Sequence, residues 1–297
     1  MKITFFSSLW LLGFLVLVNS SLAQESLTAG KLTRLADGFK FTEGPAWDGM
    51  STLYFSDIPN KKIHTWSQEK GASVYKELEG ASNGLFFDAN GNLLVCQPPG
   101  RQVLQISPSG EETVLVSEYR GKKVNSPNDL WITPEGGVFF TDPRYGSQEG
   151  LEQGGFHVYY LSRDRRKLKR VVDNLVKPNG VVGTSDGKTL FIADHGAEKT
   201  YRYDIGKNGA LKNRRLAAPA GSDGLTVDER GNLYLTGDHV TIYNDKAELI
   251  ETIEIPERPA NLTFGGEDYQ TLFITARSGL YAVPMKIKGD PVLFKNE

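Results

Sequence analysis

Six times this chain repeats one unit: a small or polar anchor residue, an apolar strand, a turn rich in Gly and Asp, and a second apolar strand that ends in a short polar tip. The copies read FTEGPAWDGMSTLYFSD, SNGLFFDANGNLLVCQ, SPNDLWITPEGGVFFTD, KPNGVVGTSDGKTLFIAD, GSDGLTVDERGNLYLTG and PANLTFGGEDYQTLFITA. Their anchors, Glu43, Asn83, Asn128, Asn179, Asp223 and Asn261, follow one another at intervals of 38 to 51 residues. Paired strands recurring with a period of about 40 to 50 residues are the signature of a β-propeller, whose units bury their apolar faces only by stacking on their neighbours.

Within each unit the anchor and the tip of the second strand (Asp57, Gln97, Asp142, Asp194, Gly237 and Ala276) lie 14 or 15 residues apart. A hairpin of that size returns to where it started, and its turn places Gly and Asp or Asn where tight connections need them. Anchors and tips therefore share one mouth of the propeller. Four of the anchors are Asn and two are carboxylates, so closure into a ring gathers a circle of oxygen donors on the axis.

The repeat runs from about residue 41 to residue 285 without a linker-like stretch, which predicts one closed domain over 24–297. A composition of 39% hydrophobic residues with 32 Gly and 14 Pro suits many short strands, and helical periodicity is hard to find. The expected fold class is all-β, a six-bladed propeller with a central metal site.

A formal net charge of −2 with scattered basic residues argues against nucleic acid as a partner. The one basic run, Arg163 to Arg170, sits between two apolar strands and reads as a solvated hairpin turn. At the N-terminus, Lys2, the apolar stretch Leu9 to Val18 and the small-x-small sequence Ser21-Leu22-Ala23 read as a signal peptide over 1–23, implying export to the periplasm or beyond. Its apolar core is shorter than the ~20 residues of a spanning helix, so no stable membrane insertion is expected after cleavage. The lone Cys96 cannot form an internal disulfide and reads as a buried small hydrophobe. Asn261-Leu262-Thr263 matches a glycosylation sequon but falls on a blade anchor.

Carboxylates and side-chain amides are hard oxygen donors, which suit Ca²⁺ or Mg²⁺ better than Zn²⁺ or Cu²⁺. Glu43 and Asp223 would balance a divalent charge while Asn128 and Asn179 complete one side and leave the other open to water and substrate. Glu43 is informative because Glu is a poor turn residue and needs another reason to stand at an anchor.

The blocks FTEGPAW, SPNDLW followed by FTDPRYG, KPNGV followed by ADHG, and SDGLTVDERGNLYLTG resemble the SMP-30/gluconolactonase family of calcium-dependent six-bladed propellers, in its bacterial gluconolactonase branch. The resemblance spans roughly Lys31 to Leu293. It implies that Glu43, Asn179 and Asp223 bind the metal, that Asp223 is also the general base, and that Asn128 reaches metal or substrate. It further implies Ca²⁺ as the ion, with Mg²⁺, Mn²⁺ or Zn²⁺ as alternatives, and a small-molecule sugar lactone as the substrate. One departure concerns sugar recognition: animal members carry Arg two residues before the third-blade Asn, where this chain has Ser126.

Substrate contacts are expected from Asn83, Asn128 and the tip ring, above all Asp142, Arg144 and His195, with Asp57, Gln97, Tyr145 and Asp194 around the same mouth. Capping of loop backbone is the competing role for the tip residues. Four other readings stay open: direct attack by the Asp223 carboxylate to give a covalent intermediate, a histidine-based lactonase using His195 or His239, a hydrolase of another ester or an organophosphate, and a propeller that only binds a ligand around a structural calcium.

Overall fold

The computed structural model describes residue 1 and residues 25–291; the expected signal segment, Met1 apart, lies outside the described residues. Each of the six repeats becomes a four-stranded antiparallel sheet, and successive sheets are the blades of a propeller. The innermost strands are Thr42–Trp47, Leu85–Phe87, Leu130–Ile132, Pro178–Gly183, Leu225–Val227 and Pro259–Gly265. They neighbour one another in sequence order, and the last neighbours the first, so the ring is closed.

Burial explains which strands the repeat displays. The second strands of blades 2 and 3, Leu93–Gln97 and Val138–Asp142, are buried at every position and read as continuous apolar runs. The outermost strands, such as Gly71–Glu77 and Leu211–Ala218, are mostly exposed and carry mixed polarity. Large side chains fill the spaces between blades: Trp131, Phe139, Phe140, Tyr159, Tyr234 and Tyr281 are all fully buried. The sixth blade supplies only three strands of its own, and Thr33–Ala36 from the start of the described chain adds the fourth, antiparallel to Gly279–Pro284. Both ends of the repeat thus share one sheet, which removes the open edges that a linear stack would present.

Blades are also joined at the axis by a periodic hydrogen bond. Ser56 Oγ donates to the Asn83 carbonyl at 2.7 Å, Thr141 Oγ1 to the Asn179 carbonyl at 2.6 Å, and Thr236 Oγ1 to the Ala260 carbonyl at 2.9 Å. In each case a hydroxyl one residue before a blade's tip holds the next blade at its anchor or at the residue before it. The Gly84 N–H crosses from blade 2 to the Asn128 carbonyl at 2.9 Å. Cys96 takes the place that Ser56 and Thr141 hold in their blades; its thiol is fully buried in the cluster containing Val103, Val116 and Phe140. Burial pushes that thiol well up, as suits a packing residue.

Close approach at the axis fixes the residue after the anchor. Gly44 has φ +50°, and a Cβ there would overlap the Asn83 carbonyl; a Cβ on Gly224 would overlap the Asn261 side chain.

Replacing Thr141 by Val keeps the shape but leaves the buried Asn179 carbonyl short of a partner, a cost of about 1–3 kcal/mol. Calorimetry should show the melting temperature falling by about 2 °C per kcal/mol for a chain of this size. An unchanged melting temperature would show that this bond contributes nothing to ring closure.

Candidate active site

The inner strands free their anchors from the ladder in two ways. In blades 1, 4 and 6 the register slips beside the anchor, between Glu43 and Ala46, between Pro178 and Val181, and between Pro259 and Asn261. Such bulges re-aim a side chain that regular pleating would point elsewhere. In blades 2, 3 and 5 the strand begins two residues after Asn83, Asn128 or Asp223, so the anchor stands just outside it.

Glu43 is 3% exposed, and its Oε2 accepts the Gly44 N–H at 2.8 Å. Burial, and then the nearby Asp223 carboxyl, push Glu43 well above the usual carboxylate range. Asp223 is part-exposed, yet the surrounding protein still raises its proton affinity; Asn179, His195, Arg258 and Arg277 oppose that rise. Asn179 is 2% exposed, and its Nδ2 donates to Asp223 Oδ1 at 2.6 Å and to the Tyr145 hydroxyl at 2.8 Å. Its Oδ1 is buried without any donor. Asn83 and Asn128 are both buried.

A third carboxyl completes the cluster. Asp129 is buried, with Oδ1 accepting the Leu130 N–H at 2.9 Å and Oδ2 accepting the Val181 N–H of the next blade at 3.2 Å. Burial pushes it up to about 7, and Asp223 adds to the rise. Asn261 stands beside both Glu43 and Asp129, its own Oδ1 accepting the Leu262 N–H at 2.8 Å. Sequence reasoning missed Asp129, although a signal was present: four of the other five anchors are followed by Gly44, Gly84, Gly180 or Gly224.

None of these three carboxyls has an ion-pair partner among the described residues. Like charges packed out of water call for a counter-cation, and an orphaned buried amide oxygen calls for a partner. Glu43, Asp223 and Asn179 Oδ1 meet both needs with one hard-oxygen set, which fits Ca²⁺ or Mg²⁺. No group of three or more His, Cys, Asp or Glu side chains could hold a metal among the described residues; the fit rests on amide oxygens.

The tip residues divide into two kinds. Asp57, Asp142 and Asp194 each accept two consecutive backbone N–H groups from the segment leading into their own blade's inner strand. The pairs are Lys40 with Phe41, Asn125 with Ser126, and Val176 with Lys177. Asp142 is fully buried, its oxygens engaged at 2.8 and 2.7 Å, so it braces the loop before Asn128 and does not face the mouth. Burial pushes it up to about 7. Arg144 likewise braces that loop, its Nη2 donating to the Asn125 carbonyl at 2.8 Å. Tyr145 and His195 reach the site: the Tyr145 hydroxyl touches Asn179, the two rings lie 6.3 Å apart, and His195 lines the cavity beside Asp223.

That cavity measures about 590 Å³ and is bounded by Phe41, His195, Asp223, Thr236, Arg258 and Arg277 among others. A second, of about 500 Å³, is lined by inner-strand side chains including Trp47, Phe87, Trp131 and Phe264, with Asp129 and Asn261 among its walls.

Fold and site together define a class: closed six-bladed propellers that gather hard oxygen donors at one end of the axis beside an open cavity. The sequence profile of the SMP-30/gluconolactonase/LRE-like region matches residues 41–278, and the chain belongs to that family. It is 28% identical over 290 residues to a gluconolactonase of Zymomonas mobilis, covering 86% of this chain and 81% of the relative. It is 26% identical over 263 residues to a pentonolactonase of Haloferax volcanii, covering 84% and 86%. A solved gluconolactonase from Xanthomonas campestris superposes with a TM-score of 0.79 at 30% identity, covering 86% of this chain and 89% of that one.

Cation binding should compete with protons here. Without a cation, the raised pKa values of Glu43 and Asp223 favour the protonated fold at low pH, and that contribution is lost as pH rises through those raised values. The rise in melting temperature on adding saturating Ca²⁺ to chelator-treated protein should therefore be larger at about pH 8 than at about pH 5.5. An increment that shrinks with rising pH would rule out these carboxyls as the ligands.

Proposed function

We propose that this chain hydrolyses a sugar lactone at the anchor mouth, with a divalent cation, Ca²⁺ by the chemistry of the donors, held by Glu43, Asn128, Asn179 and Asp223. The observation that carries the proposal is the buried, donor-less Asn179 Oδ1 beside two carboxyls that lack ion-pair partners. The similarity to lactone-hydrolysing relatives supports the choice of substrate class. When bound, such a cation polarises a carbonyl oxygen and lowers the pKa of water.

The remaining chemistry belongs to side chains. Asp223 is the general base: it is part-exposed on the cavity wall, and the Asn179 amide occupies Oδ1, which leaves Oδ2 to take a proton from the attacking water. Its proton affinity is set by opposing effects, burial raising it and Asn179, His195, Arg258 and Arg277 lowering it. Tyr145 accepts from Asn179 and keeps its own O–H to donate toward a substrate hydroxyl or ring oxygen. Burial raises the Tyr145 pKa further, so that proton stays in place at neutral pH. Lys177 packs over the Tyr145 ring, 4.9 Å from its centroid, and holds it upright.

The N-terminal segment over 1–23 supports export as part of this proposal, with the mature chain starting at Gln24. N-terminal sequencing of protein recovered outside the cytoplasm checks it, and an intact Met1 there would overturn it.

Asp223→Asn should lower kcat for glucono-1,5-lactone by about 100-fold or more, the usual contribution of a general base. Acid release at constant pH measures it, with spontaneous hydrolysis subtracted and calcium binding followed separately by calorimetry. Full activity in this variant would remove Asp223 from the chemistry. Wild-type protein that binds calcium but opens no lactone would shift the site to another ester or to ligand binding.

A further inference from the structure

The cavity beside Asp223 carries positive charge on one wall. Arg258, immediately before the inner strand of blade 6, and Arg277, in the corner after Thr271–Ala276, both line it, and both act electrostatically on the Asp223 carboxyl. Other arginines around this end are committed to backbone. Arg101 donates from Nε to the Val124 carbonyl at 2.7 Å, and Arg144 from Nη2 to the Asn125 carbonyl at 2.8 Å. Arg258 gives only its Nε–H, at 3.3 Å to the Gly237 carbonyl. The same nitrogen stands 3.8 Å from Asp238, in a pair whose side chains are 55% and 88% exposed and therefore weakly held. The Arg277 guanidinium packs over the Phe41 ring, 5.6 Å from its centroid, with no side-chain hydrogen bond among the described residues. Stacking on an aromatic face fixes the plane of a guanidinium and leaves its edge free. Two forks of unspent donors thus face the same space as the candidate base. Glu198 and Asp238 are the other carboxylates on the cavity walls.

We propose that Arg258 and Arg277 form an anion subsite, and that the preferred substrate is an acidic sugar lactone whose carboxylate or phosphate lies remote from the ester carbonyl. This rests on the lactone-hydrolase reading given above. A guanidinium fork matches the paired oxygens of a carboxylate or phosphate, which a neutral hydroxyl cannot offer. The subsite also orients the substrate. An anionic group paired with the guanidinium forks of Arg258 and Arg277 is held on that wall, so the ester end is the end left facing Asp223.

The test compares three lactones: neutral glucono-1,5-lactone, a glucarolactone and 6-phosphoglucono-1,5-lactone. Wild-type kcat/KM should be at least about tenfold higher for one of the acidic lactones than for the neutral one, and whichever acidic lactone leads identifies the anion. In Arg258→Gln and Arg277→Gln that acidic-over-neutral ratio should fall by about tenfold or more, a ratio from which any general loss of folded protein cancels. Equal kcat/KM for neutral and acidic lactones in the wild type, or a ratio unmoved in both variants, would overturn the subsite. Calorimetric binding of D-glucarate against the neutral polyol D-glucitol separates it from the parent reading. Tighter glucarate binding that depends on both arginines upholds the subsite even if no lactone is turned over, and glucarate binding unmoved in both variants removes it.

Discussion

A hydroxyl that reaches across from one blade to the anchor carbonyl of the next is the contact on which the mouth depends. Ser56, Thr141 and Thr236 make it in alternate blades, so the backbone of Asn83, of Asn179 and of the residue before Asn261 is held by a neighbouring sheet. Each bond contributes only on the order of 1 kcal/mol. Their importance is positional, because a side chain gathers at the axis only if its main chain is held there. The bulges beside Glu43, Asn179 and Asn261 then turn those side chains off the sheet faces.

The same arrangement creates an electrostatic problem that the fold does not resolve with its own cations. Glu43, Asp129 and Asp223 interact through a poorly solvated space, and the opposing help at Asp223 comes from the Asn179 amide, His195, Arg258 and Arg277. Burial that leaves charge uncompensated is found where a ligand completes the balance. Asp129 differs from its neighbours because it is tied to two backbone N–H groups, one in each of two blades, and so joins blades while adding charge.

The propeller was legible because its two inner strands per blade are apolar runs closed by Gly and Asp turns, and because six anchors recur in register. The outer strands carried little pattern, since exposure at most positions of Gly71–Glu77 leaves no constraint on polarity. The closing strand Thr33–Ala36 is four half-exposed residues with no anchor before it. At the site, Asn179 and Asp223 proved to be in direct contact, and Tyr145 and His195 came to the mouth with them. The tips misled in one respect, because an Asp at a hairpin end looks alike whether it faces solvent or, like Asp142, caps the loop beneath it. Arg277 follows the blade-6 tip as His195 follows the blade-4 tip, but nothing in the repeat singles out it or Arg258, and only the folding of blades 5 and 6 together brings them to Asp223.

Closure by Thr33–Ala36 places the earliest described strand against the last blade, a pairing between segments from opposite ends of the described residues. Contacts of that kind form late, because the entropy of bringing distant segments together comes before any gain. Asn128, Asn179 and Asp223 stand on successive blades and can meet without that contact, whereas Glu43 of blade 1 joins them only when the ring is complete. A chain halted before its sixth blade would therefore hold most of the strands and part of the site, with Glu43 still apart from Asp223.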